Sequence, residues 1–367
     1  MMIKVVSLIQ EKRSIIAFFA VYICFCLIMD VRLYYRVQDY SVRPIKDSLD
    51  YQSNVPCDLN PFCVVTVKGL MLDYLNFYVF SPLAALVDRI FGLSKWEWLS
   101  PNHISFFHVL VAILAGKLIS SKSLSQRKLG VLVFQIRSWL DDLDGLIARK
   151  RKHIGGEHSD VGSTGYFVDA ICDSLGSVAL LIGIFFCLKN TLARRGGYIR
   201  LQPLVPSITE GPIGSCVVHK KKMTSKNVLP SVVLITGSLV ASSLAWNRYI
   251  DLYQNLLEGN YKNRAISHED FYNRQTVVIR SIFFWIITTS WRLINPHALT
   301  DYLLIAVFVD RLWEYIQSAR WISYIVIFIL IYLSDFHYIQ NYRFIWNIES
   351  TVSADNFYVN SNNSLVL

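Results

Sequence analysis

Four aspartates, Asp141, Asp144, Asp169 and Asp173, stand at spacings that place them on helix faces. If residues 141–149 continue a helix from 129, then Asp141, Asp144, Gly145 and Ala148 follow i, i+3, i+4, i+7 and share one face, while Asp142 points elsewhere. On the next helix Gly165, Asp169 and Asp173 follow i, i+4, i+8, again one face. Two antiparallel helices would present two carboxylates each to a shared groove. Four acids in one groove cannot all stay ionised without cations between them. Oxygen donors of this kind suit Mg²⁺ or Mn²⁺, which keep room for substrate phosphates. Gly145, Ala148 and Gly165 remove bulk beside the acids, so a diphosphate can approach the backbone. The expected site is one for divalent cations with room for a diphosphate.

The elements that must position these acids lie in a membrane. Of 367 residues 53% are hydrophobic and only 17% charged, against about 25% charged in soluble domains. Long apolar runs place the chain in the all-α, polytopic membrane class. Lys12 and Arg13 precede "SIIAFFAVYICFCLIM" (14–29), which reads as an uncleaved signal anchor. The stretch 70–93, interrupted by Asp73, Pro82 and Asp88, reads as an amphipathic helix in the interface, ending in a Trp96/Trp98 belt. Further spans are expected at 104–120, 129–140, 166–188, 229–246, 276–291, 302–316 and 321–333, giving about seven to eight in all. The resulting organisation is a cytosolic tail and anchor (1–35), a lumenal and interfacial segment (36–98), a catalytic membrane domain (99–340) and a polar tail (341–367). Residues 189–228 read as an irregular loop, and no internal repeat appears.

Charge argues sidedness. With a cytosolic N-terminus and one crossing per run, the turn 121–128 and the loop 189–228, with 3 and 8 Lys/Arg, fall on the cytosolic side. Loop 248–275, with 4, falls opposite, as does the acidic segment, although its own "RKRK" (149–152) argues the other way. The net charge of +9 fits this signalling and contact with anionic membrane lipids. No nucleic-acid-binding motif is present.

Other candidates are weaker. Cys57 and Cys63 can form a short disulfide if their side is oxidising; Cys24, Cys26 and Cys187 read as small core residues. His153 and His158 lack a third ligand and read as a solvated loop. Asn102 either caps the first core helix or contacts nucleotide. The charges Arg137, Arg280, Arg292, Asp310, Arg311 and Glu314, set in apolar runs, must pair with one another or face the groove.

The pattern D-x2-D-G-x2-A-R…G-x3-D-x3-D, carried by Asp141, Asp144, Gly145, Ala148, Arg149, Gly165, Asp169 and Asp173, resembles the signature of the CDP-alcohol phosphatidyltransferases. The resemblance covers roughly residues 70–335 and implies that family's six-helix bundle, here with an added N-terminal anchor. The spacer 150–164 is longer than in most members. With the anchor, it is similar to the ceramide phosphoethanolamine synthases of insects and other invertebrates. That resemblance implies two Mn²⁺ (or Mg²⁺) ions held by Asp141, Asp144, Asp169 and Asp173, with Asp173 also the general base. It implies CDP-ethanolamine and ceramide as substrates, and a multi-pass Golgi membrane protein with a lumenal active site. Arg149 either contacts phosphate or braces an aspartate. Gly145, Ala148, Gly165 and Asn102 complete the substrate-binding set, and a homodimer is compatible with this reading. Competing functions are transfer to another lipid acceptor such as diacylglycerol, and a non-catalytic transporter or scaffold.

Overall fold

A computed structural model describes residues 2–43, 55–154, 156, 162–199, 225–261 and 266–346. Every regular element among the described residues is a helix, without strands. Helix α1 (Met2–Asp39) is followed by the Cys57–Cys63 disulfide loop, α2 (Val67–Met71), a π-helical turn (Asn76–Phe80) and α3 (Ser81–Phe91). The bundle comprises α4 (Pro101–Ile119), α5 (Leu124–Arg151), α6 (Thr164–Ile199), α7 (Ser225–Leu257), α8 (His268–Arg280), α9 (Ile282–Ile294), α10 (Pro296–Phe308) and α11 (Leu312–Trp346).

Among the described residues, five helices are long and apolar enough to cross a membrane: part of α1 (Ile16–Asp39), α4, Thr164–Thr191 of α6, Val228–Leu257 of α7, and α11. The pair α8–α9 makes a sixth if its 57° bend is one broken span. The sequence reading of seven to eight runs differs for identifiable reasons. Helix α5 is long enough but charged at both ends, and α10, at 13 residues, is only about 20 Å long. Residues 302–316 and 321–333 are not separate spans. The chain breaks at Asp310, which has φ 57°, and then runs as one helix from Leu312 to Trp346. Arg127 Nη1 pairs with Asp310 Oδ1 at 2.7 Å across that break. The expected single helix 70–93 is also interrupted. Leu72 is extended, and Asp73 Oδ2 accepts from the N–H groups of Leu75 and Asn76, restarting the chain as the π turn. Only α3 keeps the amphipathic form, burying Ala84, Ala85 and Asp88 and exposing Leu83, Leu86, Ile90 and Phe91.

The N-terminal anchor is part of the core. Leu33 and Val37 of α1 pack in one apolar cluster with residues of α2, the π turn, α7, α8, α9 and α11. Arg292 on α9 is buried, pairs with Asp30 of α1 at 3.0 Å, donates to Leu72 O at 3.0 Å, and lies over the rings of Tyr74, Phe77 and Tyr78. Tyr74 and Tyr78 donate to the same Asp30 carboxylate at 2.8 and 2.6 Å. A charge this deep is tolerable because a counter-ion, a backbone carbonyl and three aromatic faces meet it. Arg280 likewise donates to Tyr40 O at 2.8 Å, and Arg311 lies 3.6 Å from Glu314.

Three helices frame the acidic segment. Both α5 and α6 pack along α4, within a second apolar cluster shared with α7, α10 and α11. The approach of α4 to α6 depends on glycine. A Cβ on Gly116 would lie 2.5 Å from Ala179 O, and one on Gly183 2.6 Å from Gly116 O. Small residues at such a crossing let helix backbones touch, which is how helices associate tightly in lipid. The N-cap of α4 is Ser100, whose Oγ accepts from His103 N at 3.2 Å, with Pro101 in the first position. Asn102 is therefore not the cap, and its side chain is left for the face toward α6.

Candidate metal and phosphoryl-transfer site

The site lies where α4 begins, α5 ends and α6 begins. Helix α5 brings Asp141 and Asp144, α6 brings Asp169 and Asp173, and α4 brings Ser105 and His108. One ligand atom from each of His108, Asp141, Asp169 and Asp173 falls within 4.8 Å of all the others. Asp144 stands beside this group. It is buried, and its Oδ2 accepts from Ser105 Oγ at 2.6 Å. His108 Nε2 is 3.8 Å from both Asp141 Oδ1 and Asp144 Oδ2. The four acids thus converge as their spacing predicts, but around α4, because α5 and α6 meet on that helix.

Arg137, one turn before Asp141, spans the groove. Its Nη1 is 3.7 Å from Asp141 Oδ2, and its Nη2 donates to Asp173 Oδ1. Gly176 makes room for it, since a Cβ there would lie 3.1 Å from Arg137 Nε. The Arg137 guanidinium, with Lys68 acting on Asp169, faces four carboxylates, which leaves the groove net anionic. Asp169 Oδ1 and both ring nitrogens of His108 are buried without a hydrogen-bond partner. Buried polar atoms are almost always paired, so these orphans and the excess of negative charge fit a divalent cation bound by carboxylate oxygen and imidazole nitrogen.

The mouth of the site is braced by basic residues. Lys150 reaches Asp88 at 3.0 Å and Asp58, in the disulfide loop, at 3.9 Å. Arg151 donates to the carbonyls of Ser94, Trp96 and Leu99. Burial alone would raise the Asp88 pKa; the Ser94 N–H and Lys150 outweigh it and hold the carboxyl below its usual value. Arg149 folds back over Gly145, where a Cβ would lie 3.1 Å from its Nη1. Most of the "RKRK" run is therefore engaged in local structure.

A sequence profile of the ceramide phosphoethanolamine synthase family matches residues 2–348. The chain is also similar to the ceramide phosphoethanolamine synthase of Drosophila melanogaster, 45% identical over 294 residues, which cover 80% of this chain and 72% of that protein. The chain belongs to the ceramide phosphoethanolamine synthase family. It is accordingly a phosphotransferase of sphingolipid synthesis, embedded in a membrane through several helices.

In this synthase-family chain, the residues marked by the motif are placed as follows. Asp141, Asp169 and Asp173 share the tight cluster, and Asp144 adjoins it. Gly165 opens the first turn of α6, and a Cβ on it would lie 3.8 Å from Asn102 Oδ1, so these two residues face each other. Ala148 is half-buried on α5. Asp142 points off the shared face as expected, and there accepts from Ser81 Oγ of α3 at 3.0 Å. Cys57 and Cys63 form the disulfide. His153 ends α5 with φ 54°, whereas His158 lies outside the described residues. Sequence reasoning missed His108 and Ser105. The available signal was an ionisable residue inside the apolar run "FFHVLVAIL".

Proposed function

We propose that the enzyme transfers phosphoethanolamine from CDP-ethanolamine to the primary hydroxyl of ceramide, giving ceramide phosphoethanolamine and CMP. The observation that carries this reading is the convergence of four donor side chains from three helices within 4.8 Å, in a member of this family. When bound, divalent ions at Asp141, Asp144, Asp169 and Asp173 would supply Lewis-acid neutralisation of the diphosphate. Asp173 takes the proton from the ceramide hydroxyl. Oxygen then attacks the β-phosphorus in line, the bond to the CMP oxygen breaks, and no covalent enzyme intermediate forms. Arg137 donates to one oxygen of Asp173 and orients that carboxylate. Gly165 leaves backbone open near the acids with Asn102 facing it, and Arg149 lies over Gly145, where its guanidinium would meet a phosphate.

We further assign the site to the lumenal face of the Golgi membrane. The disulfide loop packs at the same end of the bundle as the acids, tied by Lys150 to Asp58. Disulfides persist in oxidising compartments. The engagement of Lys150 and Arg151 also weakens the objection that their charge raised against a lumenal placement.

The deciding experiment is CMP release from CDP-ethanolamine by detergent-purified protein with Mn²⁺, comparing ceramide with diacylglycerol and analysing the lipid product. CMP release should require ceramide and stop in excess EDTA. Full turnover in EDTA, or equal use of diacylglycerol, would overturn the mechanism or the acceptor respectively.

A further inference from the structure

We infer that the His108 imidazole is a direct nitrogen ligand of the catalytic divalent ion and biases the site toward Mn²⁺ over Mg²⁺. The inference rests on the metal-assisted reading above and adds to the four aspartates a donor from a third helix. His108 is fully buried, and neither ring nitrogen has a hydrogen-bond partner among the described residues. Its Nε2 is aimed between Asp141 and Asp144, at 3.8 Å from each, beyond hydrogen-bond range on both sides. A side chain placed there only for packing would be aliphatic or a phenyl ring, since an imidazole with two unmet nitrogens carries a desolvation cost that hydrocarbon does not.

Its surroundings narrow the role further. Asp144 already accepts from Ser105 at 2.6 Å, and the tightest four-donor group contains His108 in its place. Asp169 Oδ1, in the same group, is also buried without a partner. Two orphaned donors from different helices that face one point share a missing partner of positive charge. The guanidinium of Arg137 engages Asp141 and Asp173 and does not satisfy either orphan. Mg²⁺ favours an all-oxygen shell and holds its waters. Imidazole nitrogen favours the first-row transition ions. Replacing one oxygen donor by His108 therefore shifts selectivity toward Mn²⁺.

The test uses the full chain, purified in detergent, stripped by chelation and reloaded with Mn²⁺ alone. Pulsed electron paramagnetic resonance of the bound ion should show nitrogen coupling that changes isotope character when histidine is supplied as ¹⁵N. His108→Gln should lose that coupling and bind Mn²⁺ at least about tenfold more weakly, the lower end of what losing even an outer-shell partner costs. Mg²⁺ affinity, read by competition, should change less. If His108→Gln does not fold, the imidazole of His297, on α10 and close enough to act on Asp173, gives the second variant: His297→Gln leaves α4 intact, and retained coupling supports His108. Bound Mn²⁺ with no histidine coupling, or coupling lost in His297→Gln, overturns the inference and leaves the carboxylate site standing. Failure of the wild-type chain to bind Mn²⁺ overturns both readings.

Discussion

At the residue scale, the acids divide by what holds them. Asp173 is fixed by Arg137 at the groove, so Asp173→Asn keeps the shape and one oxygen but loses the proposed proton acceptor. Its kcat should fall by roughly 10²–10⁴-fold if base catalysis alone is lost, while CDP-ethanolamine still binds, which equilibrium binding to the variant checks. Asp141→Asn should act differently, weakening Mn²⁺ and nucleotide together, with partial rescue by added metal in a titration of rate against Mn²⁺. Asp142→Asn is the control. Its partner Ser81 Oγ can donate to an amide oxygen as well, so turnover should stay near wild type. An inactive Asp142→Asn beside a normal Asp173→Asn would mean that the catalytic face of α5 is misassigned.

At the scale of elements, the buried link between α1 and α9 is the sharpest case. Arg292 is 1% exposed, and Asp30 is its counter-ion. Removing one partner of a buried pair leaves an uncompensated charge, which typically costs about 3–5 kcal/mol. Asp30→Asn should therefore lower the melting temperature of the detergent-solubilised protein markedly. Adding Arg292→Met should recover part of the loss, because the unpaired charge is then gone. A simple additive result in that cycle would show that the two residues are not coupled.

At the scale of the whole molecule, one group links stability to pH. Glu258 follows α7, outside the span, and its Oε1 accepts from Val67 N–H at 2.6 Å. Burial pushes its carboxyl up from 4.5 to about 7, against the lowering effect of that N–H. The folded state thus favours the protonated form. Its contribution is fully present below pH 4.5 and is lost as pH rises through about 7. The melting temperature of Glu258→Gln relative to wild type should accordingly climb across that window; a constant difference would exclude the linkage. Sidedness belongs to this scale too. If the proposed lumenal placement holds, a protease site inserted after Gly156 should be protected in sealed vesicles of the enzyme's own membrane and cut once detergent is added. Ready cleavage from the outside would place the site on the cytosolic face.

The sequence by itself determined the helical membrane class and the shared faces of the four aspartates, for a physical reason. Helical periodicity converts local spacing into a shared face, and long apolar runs have few fates other than lipid. Asp141, Asp144, Asp169 and Asp173 were legible because each pair lies within one helix. The breaks at Leu72, Ser281 and Asp310 were not, because hydropathy averages over an extended residue or a single positive φ. Nor could spacing reveal His108 and Ser105, which come from a helix more than thirty residues away from the acids they serve. The same holds for the Asp30–Arg292 pair, 262 positions apart. Only tertiary packing decided those partners: the Gly116–Gly183 crossing sets α6 against α4, and α5 packs on that same helix, which turns a two-helix groove into a three-walled site with a buried imidazole.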